Sequence, residues 1–241
     1  MKELSVDLYL ELIKEHSIKN NLIYEELGYA YGDPIIFLKT KDEPNKLICS
    51  GIHGDEESGS CSILGLIMNN EIPKRTAFLP MISPSSNRLH KRRNIERLNV
   101  NRGWGKSSNA LSKEGEIITD NINKILPYSL KGVLSLHETI CEKYILFVNS
   151  RNNIAWINKM VAAANQKFEI IEDNSKNEYL IEYPKTKNGI IFNAHDSSFE
   201  MFLHELGCDP VMTNEVPQKA LIEDKNYINK NLIDVFCANV K

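Results

Sequence analysis

Apolar runs of strand length alternate with longer, helix-periodic segments along this chain, and that alternation limits its fold more than any other feature. A helix is expected over residues 4–16, with Leu8, Leu12 and Ile13 on one face. Strands are expected at 22–27 and 34–40, on either side of the turn Gly32-Asp33-Pro34. The apolar run 46–52 reads as a buried strand ending in Gly51-Ile52-His53-Gly54. A helix should follow over 57–69, burying Ile63, Leu64 and Ile67. Residues 75–82, 133–137 and 210–216 read as further strands. Helices fit 114–126, 152–166 and 197–206, and an amphipathic helix is expected from residue 226. Such a chain should fold as an α/β sandwich around a mostly parallel sheet.

In open sheets of this kind, ligands sit outside the carboxyl ends of the strands. Three of the expected strands end in residues capable of chemistry: His53 with Glu56, His137, and Glu215. His53 and Glu56 are three residues apart and can converge if the backbone turns tightly, which Gly54 is expected to permit by taking a positive φ. Imidazole and carboxylate are good zinc ligands, and a catalytic zinc keeps three protein ligands and one open position. His137, at the end of the run Leu134-Ser135-Leu136-His137, offers the third. The competing reading places His53 in a surface turn and makes His137 a strand cap. The residues alone leave both readings open.

Composition removes several function classes. The chain has 241 residues, enough for one α/β domain over 1–241, and a net charge of −3 gives no global reason to bind nucleic acid or an anionic membrane. No run approaches the roughly 18 apolar residues of a membrane span. Acids stand among the first residues, where a secretory leader would be apolar, and the five cysteines are odd in number and scattered. A cytoplasmic protein with free, packing thiols is the expectation.

The segment Gly51-Ile52-His53-Gly54-Asp55-Glu56 resembles the first metal motif of the zinc metallocarboxypeptidases, a family that includes the succinylglutamate desuccinylase and aspartoacylase proteins. Leu136-His137-Glu138 is similar to the motif that supplies their third ligand. Arg92-Arg93-Asn94, followed by Asn99-Val100-Asn101-Arg102, is similar to their active-site arginine and Asn-Arg pair. Thr213-Asn214-Glu215-Val216-Pro217 resembles the strand carrying their catalytic glutamate. The four motifs occur in the family's order across most of the chain. Three positions depart from the pattern: Asn99 and Ser135 stand where an aspartate is usual, and Val100 where a leucine is.

The resemblance implies an α/β/α three-layer sandwich with a mixed, mainly parallel central sheet. It also implies one zinc ion on His53, Glu56 and His137. Glu215 would then be the proton acceptor, and Arg92 would polarise the scissile carbonyl. Asn101 and Arg102 would hold the substrate's terminal carboxylate. Glu57 and Glu138 are rivals for the base. Adjacent strand residues face opposite ways, so Glu138 should point away from the metal. Counting back from Glu215 puts Glu200 near the position where an acid favours basic side chains; the alternative is a solvated helix residue. Tyr183 is a candidate for the family's mobile-loop tyrosine.

The basic stretch from Arg88 to Lys106 can be a solvated loop, a phosphate-binding patch or the substrate clamp. Trp104 is the only aromatic in it, which disfavours single-strand binding, and the clamp is preferred for Arg92 and Arg102. Arg88, Lys91, Arg93 and Arg97 should be solvated. The expected activity is hydrolysis of an amide bond next to a free carboxylate, on a small peptide or N-acyl amino acid substrate. The deacylases usually carry a further C-terminal domain, so the length after Glu215 favours a compact carboxypeptidase or peptide amidase. A deacylase is the alternative, and a non-catalytic binding module on the same fold is the alternative of another class.

Overall fold

The computed structural model describes residues 4–105, 109–173, 186–194 and 196–240. The chain opens with helix α1 (Val6–Lys19), then forms strands β1 (Ile23–Ala30), β2 (Asp33–Lys39) and β3 (Lys46–Ser50). Helix α2 (Ser58–Met68), strand β4 (Thr76–Leu79) and helices α3 (Pro84–Leu89), α4 (Lys113–Asp120) and α5 (Ile122–Ile125) follow. Strands β5 (Val133–Thr139) and β6 (Ile145–Asn149) precede helix α6 (Ile157–Ala164) and strand β7 (Ile190–Phe192). Helix α7 (Phe199–Glu205), strand β8 (Val211–Pro217) and helix α8 (Ile222–Asn239) complete the order.

All eight strands join one sheet in the order β1-β2-β4-β3-β5-β8-β6-β7. The pairs β3/β4, β3/β5, β5/β8 and β6/β7 are parallel; β1/β2, β2/β4 and β6/β8 are antiparallel. The sheet is thus mixed and mostly parallel, as the sequence leads one to expect. The β1–β2 hairpin turns on Tyr31 and Gly32, both at positive φ (53° and 94°), the conformation of a type I′ turn.

The sheet divides two apolar cores. Ile48, Leu134, Leu136, Met212 and Val216 face one way, into the core shared with α1, α2, α6 and α8. Leu47, Cys49, Val133 and Val211 face the other way, toward α4, α5 and α7. Strictly alternating burial on both faces explains why these central strands read as continuous apolar runs. After β3 the chain crosses to β4 on one side, while β5 lies on the other side of β3. The carboxyl ends of β3 and β5 therefore flank a topological switch point, where a crevice is expected.

Three expectations are corrected. The buried stripe of α1 is Val6, Tyr9, Ile13 and Ser17, and Leu8 is exposed. Tyr9 is drawn inward because its hydroxyl donates to the carbonyls of Ser60 and Pro80. Helix 114–126 is split into α4 and α5. Strands β6 and β7 and the short α3 were not anticipated. The run from Tyr144 to Val148 carries an aromatic and β-branched signal that would have indicated β6.

Helix α8 is locked to the sheet by a buried ion pair: Lys225 Nζ lies 2.7 Å from Glu138 Oε2, and both residues are about 5% exposed or less. The other oxygen of Glu138 accepts the Ser58 N–H at the start of α2 (2.7 Å). Lys225→Met should destabilise the protein by about 3–5 kcal/mol in urea unfolding, because it strands a buried carboxylate. Lys230→Met, which breaks the surface pair with Glu71, should change stability little.

Candidate metal centre and active site

The site begins where β3 ends. Gly51 takes φ +65°, and a Cβ there would come within 2.6 Å of Ser60 Oγ. That bend delivers His53 to the end of the sheet. Gly54 is required for a different reason from the expected one. Its φ is not positive; instead, a Cβ on it would lie 1.8 Å from the Ser86 carbonyl oxygen. Helix α3 thus packs directly onto the backbone between His53 and Glu56. Two hydrogen bonds fasten it there: Asn87 Nδ2 donates to Gly51 O (3.0 Å) and Gly54 N to Lys91 O (2.9 Å).

His53, Glu56 and His137 are all buried, and their ligating atoms lie within 4.8 Å of one another. His53 Nδ1 is 2.7 Å from Glu56 Oε1, and His137 Nδ1 is 2.9 Å from Glu56 Oε2. The imidazole rings meet edge-on, with centroids 5.3 Å apart. Two atoms bound tetrahedrally to one zinc are roughly 3.3 Å apart, given ligand distances of about 2.0–2.1 Å. A slight opening of this cluster therefore accommodates the ion. The donor set, two nitrogens and a carboxylate, is of the catalytic zinc type. The surface-turn reading of His53 and the strand-cap reading of His137 do not fit this burial.

Each imidazole directs Nδ1 at Glu56 and Nε2 at a partner outside the cluster. His53 Nε2 donates to Asn99 Oδ1 (3.0 Å) and His137 Nε2 to Glu200 Oε1 (3.0 Å). Asn99, one of the departures from the family pattern, thus holds the His53 ring. Arg92 Nη1 donates to Glu56 Oε1 at 2.7 Å.

The charges hold one another in place. Burial alone would raise the Glu56 pKa, but the fields of His53 and His137 and their hydrogen bonds pull it well below the usual carboxylate range. Burial works against a charge on His137, yet Glu56 and Glu200 together lift it well above the ordinary imidazole value. Glu200 is likewise opposed by burial but drawn down to about 2 by His137 and Ser135.

Glu215 occupies β8 at the register position directly beside His137 on β5. Its carboxylate accepts no hydrogen bond from any described residue and lines the same cavity, of about 380 Å³, as the three ligands. Crowding by protein raises its pKa to about 8; the fields of Glu56 and Glu200 add to the rise, against His137 and Arg92. Glu138 turns to the opposite face and pairs with Lys225, and Glu57 is exposed at the N-cap of α2. Neither faces the cluster.

Arg102 and Asn101 also line the cavity. Arg102 Nη1 donates to Asn101 O (2.7 Å), and Nη2 lies 3.6 Å from Asp196. Asn101 Oδ1 accepts the Phe199 N–H (2.9 Å), tying this motif to α7. Glu200 is in the cavity wall at 3% exposure, so it is not a solvated helix residue. Tyr183 lies outside the described residues.

Two residues of the basic stretch have partners that the sequence did not indicate. Arg88 is exposed, as expected, but is also paired with Asp33 (2.7 and 2.6 Å) and Asp7 (3.0 and 2.5 Å). Trp104 is buried against Phe199 and Phe202. Sequence reasoning missed the role of Glu114. This fully buried acid on α4 accepts from Ser83 and Ser85 (3.0 and 2.5 Å) and from Asn94 (3.0 Å). Asn94 in turn folds the loop after Arg92 by accepting the Glu96 and Leu98 N–H groups. Only its place in the first turn of a helix was legible.

His53→Ala and His137→Ala each leave two protein ligands. Each variant should emerge from purification without stoichiometric zinc by elemental analysis, while the wild type carries one equivalent.

No family model and no curated protein sequence matches this chain. Solved structures do. A protein of Shewanella amazonensis, provisionally described as a metallopeptidase, superposes with a TM-score of 0.88 at 23% identity, over 98% of this chain and 94% of its own. A metallo-carboxypeptidase from Burkholderia cenocepacia gives 0.66 at 16% identity, over 97% of this chain and 68% of its own. The murein-tripeptide amidase of Escherichia coli O157 gives 0.61 at 15% identity, over 88% and 91%. At these identities the likeness is one of architecture: the chain has the α/β sandwich fold of structures named as metallopeptidases, metallo-carboxypeptidases and a murein-tripeptide amidase.

Proposed function

We propose that the protein is a zinc-dependent hydrolase of the metallocarboxypeptidase type, cleaving an amide bond next to a free carboxylate in a small peptide. The observation that carries this reading is the convergence of His53, Glu56 and His137 with Glu215 on the neighbouring strand, in one cavity that also holds Arg92 and Arg102. A zinc ion on the three ligands would supply Lewis acidity toward a carbonyl oxygen and toward water. The residues around it supply the rest.

Glu215 takes a proton from the attacking water and returns it to the departing amine. Its carboxylate is free of hydrogen bonds from the described residues, and its raised pKa suits a group that must both accept and donate near neutrality. Arg92, half-exposed and already directed at Glu56, turns its guanidinium to the oxyanion of the tetrahedral adduct. Arg102, one-third exposed and held loosely by Asp196, receives the substrate carboxylate, with the amide of Asn101 beside it.

Glu215→Gln keeps the shape and loses the base. It should retain zinc and substrate binding while kcat on a dipeptide or cell-wall peptide falls by about 10²–10⁴. An unchanged kcat would remove Glu215 from the chemistry, and zinc uptake without turnover of any amide would favour a binding module. Arg102→Ala should raise KM strongly for substrates with a free carboxylate and little for amidated ones. Equal losses on the two would make Arg102 structural.

A further inference from the structure

Glu200 stands in the first turn of α7, 63 residues from His137 in sequence and in hydrogen-bond contact with it. Its Oε1 lies 3.0 Å from His137 Nε2 and accepts the Ser135 hydroxyl at 2.6 Å. All three side chains are at least nine-tenths buried. The nitrogen that Glu200 contacts is the one turned away from Glu56, while Nδ1 faces the ligand cluster. An imidazole whose Nε2–H is committed to a carboxylate keeps its Nδ1 lone pair aimed at the metal and cannot rotate about its ring axis.

The two histidines are held unequally. His53 Nε2 meets a neutral amide oxygen, that of Asn99, whereas His137 Nε2 meets a carboxylate. Ser135, on the same face of β5 as His137 and two residues before it, has no charge to offer its neighbour and instead donates to Glu200. The helix that brings Glu200 is fixed to the other orienting loop: Ser198 caps it, and Asn101 Oδ1 accepts the Phe199 N–H. A single junction thus sets both outer partners of the metal ligands.

We infer that Glu200 is a positioning residue for the third ligand, a carboxylate delivered from α7 that orients His137 and strengthens it as a donor. The inference rests on the metal-centre reading above. It also means that the contacting oxygen of Glu200 is already committed within the protein and is not presented to a basic substrate side chain.

The test is zinc affinity, measured by competition with a chromophoric chelator in wild type, Glu200→Gln and the double variant Ser135→Asp/Glu200→Gln. Glu200→Gln should bind zinc about 10–100-fold more weakly, the usual effect of losing such a partner. The double variant offers His137 Nε2 a carboxylate from two residues earlier on the same face of β5 and should recover most of that loss. In proton NMR of the zinc-loaded protein, the His137 Nε2–H resonance should lie far downfield and move upfield in Glu200→Gln.

Wild-type zinc affinity in Glu200→Gln would overturn the inference while leaving the metal centre intact. That result with an altered preference between lysine- and leucine-ending peptides would make Glu200 a specificity residue. Weakened binding with no recovery in the double variant would show that Glu200 acts by packing alone. A wild type that takes up no zinc would overturn this inference and the metal-centre reading together.

Discussion

The carboxylate of Glu56 is the point on which the site depends. It is buried at the carboxyl end of the sheet, and a bare charge there would be costly. Three groups from separate parts of the chain repay that cost: His53 from its own loop, His137 from β5 and Arg92 from the loop after α3. The Glu138 N–H adds a fourth contact at 3.1 Å. Each partner is held in turn by something behind it, so the constellation is built inward from a rigid shell. A cation placed among these side chains would bring the same kind of positive charge to the same place.

The shell is made mostly of backbone and small residues. The absence of a Cβ at Gly54 lets the Ser86 peptide lie against the metal loop, and Gly51 makes the bend that starts it. Glu114, far from the chemistry, gathers two serines and Asn94 and so sets the path of the chain that carries Arg92. A substitution in this layer would shift the His53–Glu56–His137 cluster and Arg92 without touching them.

The two faces of the sheet have different duties. His137 and Glu215 end the face that packs on α7, where Glu200 and the Asn101 motif converge. Glu138, one residue along, faces α2 and α8 and closes a buried ion pair with Lys225. The period of two in a strand therefore separates an imidazole that faces the cluster from a structural carboxylate in adjacent positions of one motif. It also turns the Glu138 carboxylate away from the cluster despite its proximity in sequence to His137.

Much of this was legible in the chain. Strand-length apolar runs at β3, β5 and β8 indicated a mainly parallel sheet, because strands buried on both faces must be apolar throughout. The residues just beyond those runs marked the site, because side chains at strand ends escape the core. What the sequence could not express were pairings between distant segments. Nothing local distinguishes Glu200 from an exposed helix acid, Arg88 from an unpaired cation or Glu114 from a helix-dipole acid. Only the packing of α7 on β5, of α3 on the hairpin and of α4 on the loop after α3 gave each its partner. Residue type and periodicity determined the apolar central strands and which residue types at their ends could do chemistry. The tertiary structure decided which charges neutralise one another, because that depends on contacts of about 3 Å between segments whose separation along the chain carries no such information.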